Sequence, residues 1–386
     1  MNRNDAHSPG AILPGATLGV LGGGQLGRLF TLAARTLGYR VLVLDPDPNS
    51  PAGAVADTHL CADYTDADAL ARMGSECAAI TTEWESVPAT TLDNLSAHCP
   101  VRPSAAAVAV ARDRIREKTF LRDLGLATAP FFAIRCEDDL AAAVANLRLP
   151  ALLKTATLGY DGKGQLPVDN VAQARAAFAQ LGNHPCVLEE KVKLAQELSV
   201  VLARGADGET AVYPIGENIH RNGILHTTRV PGRIAASAEE LAISMAQRVA
   251  AELDYVGVLA VEFFFTTDGE LLINEIAPRP HNSGHYTLDA CASSQFEQQV
   301  RALCGLPLGS TRLLSPVTML NLLGDVWGDS QPDWQQVFSH AEAKLHLYGK
   351  REARPGRKMG HINVLSENAD GAFELANALF ATLSSR

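Results

Sequence analysis

Short apolar runs alternate with helical periodicity in the first part of the chain. Thr17–Leu21, Arg40–Leu44 and Ala78–Thr82 are apolar segments of strand length, and Gln25–Leu37 has the spacing of an amphipathic helix. Strands that alternate with helical segments are typical of a parallel sheet with helices on its faces. The pattern therefore predicts an α/β domain with a Rossmann-like parallel sheet.

A second group of elements follows. Arg112–Leu124 is a predicted helix, and Gly125 is placed to close it in a left-handed conformation. Ala151–Lys154 and Cys186–Glu190 are predicted strands, and Val171–Leu181 between them is a predicted helix.

The remaining chain predicts a mixed α+β arrangement. Ser237–Leu253 is an amphipathic helix whose first residues match a capping box, in which Ser237 caps a backbone N–H and Glu240 reaches back. Val317–Leu323 and Ala343–Tyr348 are predicted strands. The whole chain is thus expected to combine an α/β part with α+β parts.

A tight hairpin is predicted between Val256–Phe265 and Glu270–Ile276. Asp268-Gly269 is a strong signal for a two-residue turn. In that register Thr267 pairs with Glu270, and counting back places two further glutamates, Glu262 and Glu275, directly opposite each other.

These two carboxylates are predicted to project from one face, with Asn274 on the other. Their neighbours on that face are apolar: Ala260, Phe264 and Ile273. Like charges directly opposite are destabilising, so the pair needs either a shared proton or a divalent cation. Mg²⁺ prefers one or two carboxylates together with phosphate oxygens, which suits a nucleotide site. The alternative is an exposed hairpin with two solvated glutamates.

A glycine-rich segment follows the predicted strand that ends at Lys154. It consists of Gly159, Tyr160, Asp161, Gly162, Lys163, Gly164 and Gln165. Such a backbone can fold over a ligand and present N–H groups to phosphate oxygens. Lys154 and Lys163 flank it with ammonium groups that suit a triphosphate, although an ordinary surface hairpin is the alternative.

The next predicted strand ends in Glu189, Glu190, Lys191 and Val192, and Glu197 follows. Backbone donors and acceptors at a strand end can bind an adenine edge, and Glu197 could accept hydrogen bonds from ribose hydroxyls. A solvated charge cluster explains the local pattern equally well.

The sequence Gly22–Gly27 satisfies GxGxxG between a strand and a helix, and Asp45 ends the next strand. This fingerprint alone favours an NAD-dependent oxidoreductase. A helix N-terminus after a glycine turn, however, binds any phosphate, and nothing downstream resembles a hydride-transfer site. A non-catalytic nucleotide sensor is a third alternative.

Two polar clusters occupy the C-terminal half. Glu275–His285 follows a predicted buried strand, and its Arg279 could stabilise developing negative charge. His281 or His285 could transfer protons or orient a ligand. Arg354–His361 is a basic loop that could bind a substrate phosphate, or could simply be solvated.

The amino-acid composition of the chain argues against some classes of function. The 386 residues carry a formal net charge of −10, which argues against a general nucleic-acid binder. The seven cysteines lack CxxC spacing, so reduced thiols and a cytoplasmic location are expected. No apolar run is long enough for a membrane span, and the N-terminal residues lack a signal core.

Together, the motifs resemble the ATP-grasp superfamily and, within it, the 5-(carboxyamino)imidazole ribonucleotide synthases of purine biosynthesis. The resemblance rests on Gly22–Arg28, Asp113-Arg114 with Lys118, Gly159–Gln165, Asn274–His285 and Arg354–His361. It implies an ATP-grasp architecture in three parts, namely a Rossmann-like domain (1–112), a small lid domain (113–192) and a C-terminal domain (193–386).

The resemblance also implies roles for individual residues. Contacts to ATP would come from Arg114, Lys154, Gly159, Tyr160, Asp161, Gly162, Lys163, Gly164, Gln165, Glu189, Glu190, Lys191, Val192, Glu197, His220, Asn274 and Glu275. Contacts to the ribonucleotide would come from Gly24, Gln25, Leu26, Glu83, Tyr160, Arg279, Asn282, Ser283, Lys350 and Arg357. Glu262 and Glu275 would hold Mg²⁺, and Arg279, His281 and Lys163 would be catalytic.

The implied reaction is an ATP-dependent carboxylation. Bicarbonate and ATP would give carboxyphosphate, and the exocyclic amine of aminoimidazole ribonucleotide would capture it or the CO₂ it releases. A homodimer is expected, and a formate-dependent glycinamide ribonucleotide transformylase is the alternative within the superfamily. Thr155–Leu158 lacks the basic residues of many relatives, and Ala277 stands where many ATP-grasp enzymes have asparagine.

Overall fold

The computed structural model of the protein describes residues 10–157, 159, 164–328 and 330–384. Three sheets follow one another along this part of the chain. They meet around one large cavity, which contains most of the predicted site residues. The domain boundaries at 112/113 and 192/193 stay predictions.

The first sheet is parallel, as predicted, with the strand order β3-β2-β1-β4. Its elements are β1 (Thr17–Leu21), α1 (Gln25–Thr36), β2 (Arg40–Leu44), β3 (Thr58–Leu60), α2 (Ala67–Glu76), β4 (Ala79–Thr82), α3 (Ala89–Ser96) and α4 (Ala105–Ala111). The strand order reverses between β1 and β4, and ligands of α/β sheets bind at such switch points. The glycine turn Gly22–Gly24 follows β1 at this place.

The second sheet is antiparallel, with the order β5-β8-β6-β7. Its elements are α5 (Arg114–Asp123), β5 (Phe131–Ile134), α6 (Asp139–Asn146), β6 (Ala151–Thr155), β7 (Gln165–Val168), α7 (Val171–Gln180) and β8 (Cys186–Glu190). Helix α5 begins two residues later than predicted because Asp113 is its N-cap and accepts from Ile115 N–H at 2.8 Å. Gly125 after the helix has φ +68°, as expected for a left-handed closing residue.

The third sheet is the largest and has the order β14-β13-β9-β11-β12-β15-β17-β16, with β10 paired to β9. Its strands are β9 (Leu194–Arg204), β10 (Thr210–Val212), β11 (Gly216–Arg221), β12 (Ile224–Val230), β13 (Gly257–Thr266), β14 (Leu271–Ala277), β15 (Val317–Leu323), β16 (Ala343–Leu347) and β17 (Lys358–Leu365). Its helices are α8 (Ala236–Glu252), α9 (Thr287–Ala290), α10 (Gln295–Leu303), α11 (Trp334–Phe338) and α12 (Ala369–Ser384). The predicted mixed α/β and α+β class is confirmed.

The predicted capping box at Ser237 is wrong. Helix α8 begins at Ala236, and its N-cap is Ala235, which makes no side-chain cap. Ser237 is therefore already inside the first turn, where its hydroxyl cannot take the N-cap position.

Shared cores connect the sheets. Phe296 and Val300 of α10 pack with Leu26 and Phe30 of α1, which attaches the first sheet to the third. Among the described residues, no helix is long and apolar enough to cross a bilayer. The seven cysteines are free thiols.

Candidate functional site

The hairpin of β13 and β14 differs from the prediction at its turn. Thr266 N–H donates to Glu270 O at 2.9 Å, so the loop has three residues, Thr267–Gly269, and Thr267 does not pair with Glu270. Gly269 has φ +82°, which suits the left-handed third position of such a loop. This turn alone would shift the register by one residue.

A β-bulge in β14 reverses that shift. Phe263 pairs with Ile273, but Glu262 pairs with Glu275, so Asn274 is an extra residue. The predicted opposition of Glu262 and Glu275 is therefore confirmed, although the residues between them and the turn are paired differently.

The bulge also corrects two predicted orientations. Ile273 was expected beside the glutamates, but it is buried in the core on the other face, in one cluster with Val261 and Phe263. Asn274 was expected on the far face, but it lines the cavity together with Glu275. Because a bulge inserts one residue, the simple alternation of faces fails here.

The two carboxylates have different electrostatic surroundings. Burial and the nearby Glu275 raise the pKa of Glu262 to about 7, while His220 opposes the rise. Burial also disfavours the charge on Glu275, but Arg114 Nη1 donates to its Oε2 at 3.1 Å and holds its pKa below the ordinary value. The repulsion expected from two facing carboxylates is thus present.

A buried carboxylate with two lysines lies nearby. Glu189 Oε2 is 3.0 Å from Lys118 Nζ and 3.3 Å from Lys154 Nζ. Glu189 is 2% exposed and does not line the cavity. Its side chain is therefore engaged by the two lysines, of which Lys154 lines the cavity.

Helix α5 holds the outer edge of β14. Glu117 Oε1 accepts from Ile276 N–H at 2.5 Å, and Lys118 Nζ donates to Asn274 O at 3.3 Å. Sequence reasoning missed Glu117. Its only sequence signal is a carboxylate within a helix that carries Arg114 and Lys118.

The cavity has a volume of about 1100 Å³ and is bounded by residues from all three sheets. Most predicted site residues line it: Gly24, Gln25, Leu26, Glu83, Arg114, Lys154, Gly159, Gln165, Glu197, His220, Glu262, Asn274, Glu275, Arg279, His281, Asn282, Lys350 and Arg357. Six predicted residues do not: Gly164, Glu189, Glu190, Lys191, Val192 and Ser283. The predictions for Tyr160, Asp161, Gly162 and Lys163 fall outside the described residues.

The strand end after β8 makes its own local contacts. The Glu190 carboxylate accepts from Arg148 N–H at 2.8 Å, and Lys191 N–H donates to Pro150 O at 3.0 Å. These two groups are therefore not directed at a ligand. The prediction that this segment contacts adenine remains untested.

The carboxylate of Asp45 is hydrogen-bonded to the glycine turn. Its Oδ2 accepts from Gly23 N–H at 2.6 Å and from the Tyr64 hydroxyl at 2.7 Å. A Cβ on Gly23 would lie 2.6 Å from Asp45 Cγ, so this approach requires glycine. In an NAD-binding fold the carboxylate at this position would bind the ribose, but Asp45 is already hydrogen-bonded within the protein. This disfavours the oxidoreductase alternative.

The buried carboxylate of Glu83 lies in the same cavity as the glycine turn. Glu83 is 5% exposed, and within the described part of the chain neither of its carboxylate oxygens has a hydrogen-bond partner. Burial raises its pKa to about 8 against the opposing effect of Arg279. Arg279 itself donates through Nε to Glu85 Oε2 at 2.5 Å.

His281 is held as a neutral imidazole. Its Nδ1 lies 2.8 Å from Ser283 Oγ and 3.3 Å from Ser283 N, and its Nε2 lies 3.5 Å from Glu262 Oε1. Burial, with Arg279 as the next cause, holds the pKa of His281 well below its ordinary value. Ser283 contacts His281 and does not line the cavity, and its contact with the ribonucleotide stays a prediction.

Lys350 connects the basic loop to the glycine turn. Its Nζ donates to Gln25 Oε1 at 2.8 Å and to Lys358 O at 2.7 Å. Arg357 also lines the cavity at this end. His220 Nδ1 contacts the carboxylate of Glu197, and both residues line the same cavity.

Family models match most of the chain. Residues 15–112 match the ribonucleotide synthetase preATP-grasp domain, residues 119–296 match the ATP-grasp domain, and residues 317–374 match the phosphoribosylaminoimidazole carboxylase C-terminal domain.

Relatives match over nearly full length. The N5-carboxyaminoimidazole ribonucleotide synthase of Bacillus subtilis is 45% identical over 359 residues, which are 93% of this chain and 94% of the relative. A solved ADP complex of an N5-carboxyaminoimidazole ribonucleotide synthetase is 44% identical, with a TM-score of 0.91 and coverage of 96% and 97% of the two chains. An Aspergillus clavatus synthase solved with ADP and 5-aminoimidazole ribonucleotide is 30% identical, with a TM-score of 0.88 and coverage of 96% and 99%. This chain, an ATP-dependent ligase with the ATP-grasp fold, belongs to the N5-carboxyaminoimidazole ribonucleotide synthase family.

Proposed function

We propose that this enzyme uses ATP and bicarbonate to carboxylate the exocyclic amine of 5-aminoimidazole ribonucleotide in purine biosynthesis. The products are 5-(carboxyamino)imidazole ribonucleotide, ADP and phosphate. The observation that carries the proposal is the facing pair Glu262 and Glu275 in a cavity that also contains the glycine turn. One cavity thereby offers a site for metal-bound phosphates and a separate site for a ribonucleotide.

The triphosphate end is formed by cationic side chains from the second sheet and α5. Lys154 lines the cavity, and Arg114 connects Glu275 to the backbone carbonyl of Gly159 at 3.2 Å. Both cations lie beside the carboxylate pair, where phosphate oxygens would complete their contacts. His220 and Glu197 also line the cavity and would bind the nucleoside part.

The residues present fit Mg²⁺. Glu262 and Glu275 supply two carboxylates, and Asn274 supplies an amide beside them. Among the described residues, no group of three or more His, Cys, Asp or Glu forms a complete metal cage. Mg²⁺ typically uses only one or two carboxylates and takes its other oxygens from phosphates and water. When bound, the cation would offset negative charge on the transferring phosphoryl group.

Bicarbonate would attack the terminal phosphorus of ATP to form carboxyphosphate, with ADP as the leaving group. Arg279 is a fixed cation beside the two carboxylates, because Glu85 orients it and holds its charge. Its N–H donors would stabilise the developing negative charge. The amine would then attack the carboxyl carbon, or CO₂ released from it, and phosphate would leave.

The ribonucleotide would bind across the glycine turn. Lys350 and Arg357 would hold its 5′-phosphate, and Gln25 is already within hydrogen-bond distance of Lys350. The two oxygens of Glu83 without partners would accept from, or donate to, its polar groups. Asn282 lines the same cavity, and its Oδ1 has no hydrogen-bond partner among the residues that the structure describes.

A direct test is ADP release with bicarbonate, with and without aminoimidazole ribonucleotide, together with transfer of isotope-labelled bicarbonate carbon to the nucleotide. We expect both to require all three substrates and Mg²⁺. Stimulation only by glycinamide ribonucleotide with formate would overturn the proposal and assign the protein to the transformylase reaction. We further propose that the enzyme is a cytoplasmic homodimer, which sedimentation and fractionation would test.

A further inference from the structure

The hairpin that carries the metal carboxylates is at the edge of the third sheet. In the strand order, β14 has β13 on one side only. Backbone groups on its outer side therefore need partners from outside the sheet. The bulge at Asn274 increases this need because it breaks the regular ladder next to Glu275.

Helix α5 and the segment after it supply these partners. Ile273 N–H donates to Ala127 O at 2.8 Å, and Asn274 O accepts from Lys118 Nζ at 3.3 Å. Ile276 N–H donates to Glu117 Oε1 at 2.5 Å. The partners thus flank Glu275 on both sides in sequence.

Glu117 is 1% exposed and borders the cavity close to Glu275 and Arg114. Its hydrogen bond goes to the backbone next to Glu275 rather than to another side chain. Lys118, by contrast, also pairs with Glu189. Losing the Glu117 acceptor would leave a buried N–H without a partner and release the bulge.

We propose that Glu117 is a positioning residue: by accepting from Ile276 N–H, it fixes the direction in which Glu275 enters the cavity. This inference rests on the proposed metal role of Glu275. It predicts that an acceptor oxygen is needed at position 117, whereas a negative charge is not. Glutamine supplies that oxygen at nearly the same size, and leucine does not.

The test compares Glu117→Gln with Glu117→Leu, and uses Asp123→Ala as a control at an exposed carboxylate of the same helix. We expect Glu117→Leu to weaken Mg·ADP binding about 10-fold or more and to lower kcat/KM by about 10–100-fold, since small misplacements of reacting groups are costly. Hydrogen exchange of the Ile276 amide should accelerate in parallel. Glu117→Gln and Asp123→Ala should stay within about threefold of the parent in each measurement.

Other outcomes would overturn the inference. A Glu117→Leu protein that only melts earlier, with normal Mg·ADP affinity and a protected Ile276 amide, would show a merely structural role. Equal damage by Glu117→Gln would show that charge matters instead. Should Glu117→Leu not fold, Glu117→Ala replaces it in the same comparison. Because binding and exchange are measured without bicarbonate or ribonucleotide, these results stand apart from failure of the proposed reaction.

Discussion

Glu262 and Glu275 lie directly opposite each other on β13 and β14 because two local irregularities compensate. The three-residue loop shifts the pairing by one residue, and the bulge at Asn274 shifts it back. Two like charges are thereby brought together on a buried strand pair. Such an arrangement is costly without a cation, which is why the strongest prediction concerns this pair.

Glu275→Gln should abolish most ADP formation while leaving the fold intact. The change removes one of two carboxylates and also the charged partner of Arg114. We expect kcat/KM for ADP release to fall at least about 100-fold, more than is usual for a group outside the metal shell. Glu270→Gln, in the exposed part of the same hairpin, is the matched control and should be near normal. Near-normal turnover by Glu275→Gln would reject the metal role.

Lys350→Met should selectively weaken ribonucleotide binding. Lys350 lies at the glycine-turn end of the cavity, so the KM for aminoimidazole ribonucleotide should rise about 10–100-fold, the loss expected for a charged hydrogen bond. The KM for ATP should change little, because the triphosphate site uses other cations. Lys344 on β16 is exposed, and Lys344→Met serves as the control. An equal rise in both KM values would contradict separate binding regions.

Glu83 should make the stability of the ligand-free enzyme depend on pH. Burial raises its folded pKa from 4.5 to about 8, so between these values the folded protein holds a proton that the unfolded chain has lost. Stability therefore falls as pH rises through this window, by at most about 5 kcal/mol.

Glu83→Gln should remove this dependence. The variant should match the parent near pH 5 and melt at a higher temperature than the parent near pH 8.5, as measured by calorimetry. Glu76 is exposed on α2, and Glu76→Gln should have the melting temperature of the parent at both pH values. A parallel pH profile for Glu83→Gln and the parent would contradict a raised pKa at this position.

The sequence predicted most elements because their signals are local. Apolar runs and glycines placed β1, β2 and β4 within a residue, and Gly125 closes α5 in the expected conformation. The capping-box prediction failed because the N-cap of α8 is Ala235, two residues before Ser237, and makes no side-chain cap. The extra residue at Asn274 carries no local signal, since its partners come from a distant helix.

The sequence predicted some site residues correctly as lining the cavity and others not. Three charged residues that were predicted from the hairpin register and the polar cluster after it, namely Glu262, Glu275 and Arg279, do line the cavity. Glu189 looked like a ligand contact by its position at a strand end, but its carboxylate faces inward to two lysines. Which face a side chain uses depends on long-range packing, and a single sequence does not contain that information.

Glu189→Gln should destabilise the protein strongly, and ADP should partly reverse the loss. Glu189 places one negative charge between the buried ammonium groups of Lys118 and Lys154, so its removal leaves both cations without their shared carboxylate. Breaking a buried pair in this way typically costs about 3–5 kcal/mol. Because Lys154 lines the cavity, phosphate oxygens can replace part of the lost negative charge.

Thermal unfolding with and without Mg·ADP would measure this compensation. The melting temperature of Glu189→Gln should rise more on adding the nucleotide than that of the parent, since only the variant gains a missing counter-charge. Glu190→Gln is the matched control: it changes the adjacent carboxylate, which bonds to a backbone N–H at the protein edge, and should cost about 1 kcal/mol. An equal nucleotide effect on Glu189→Gln and the parent would mean that the phosphates do not reach Lys154, and the triphosphate site would then have to lie elsewhere in the cavity.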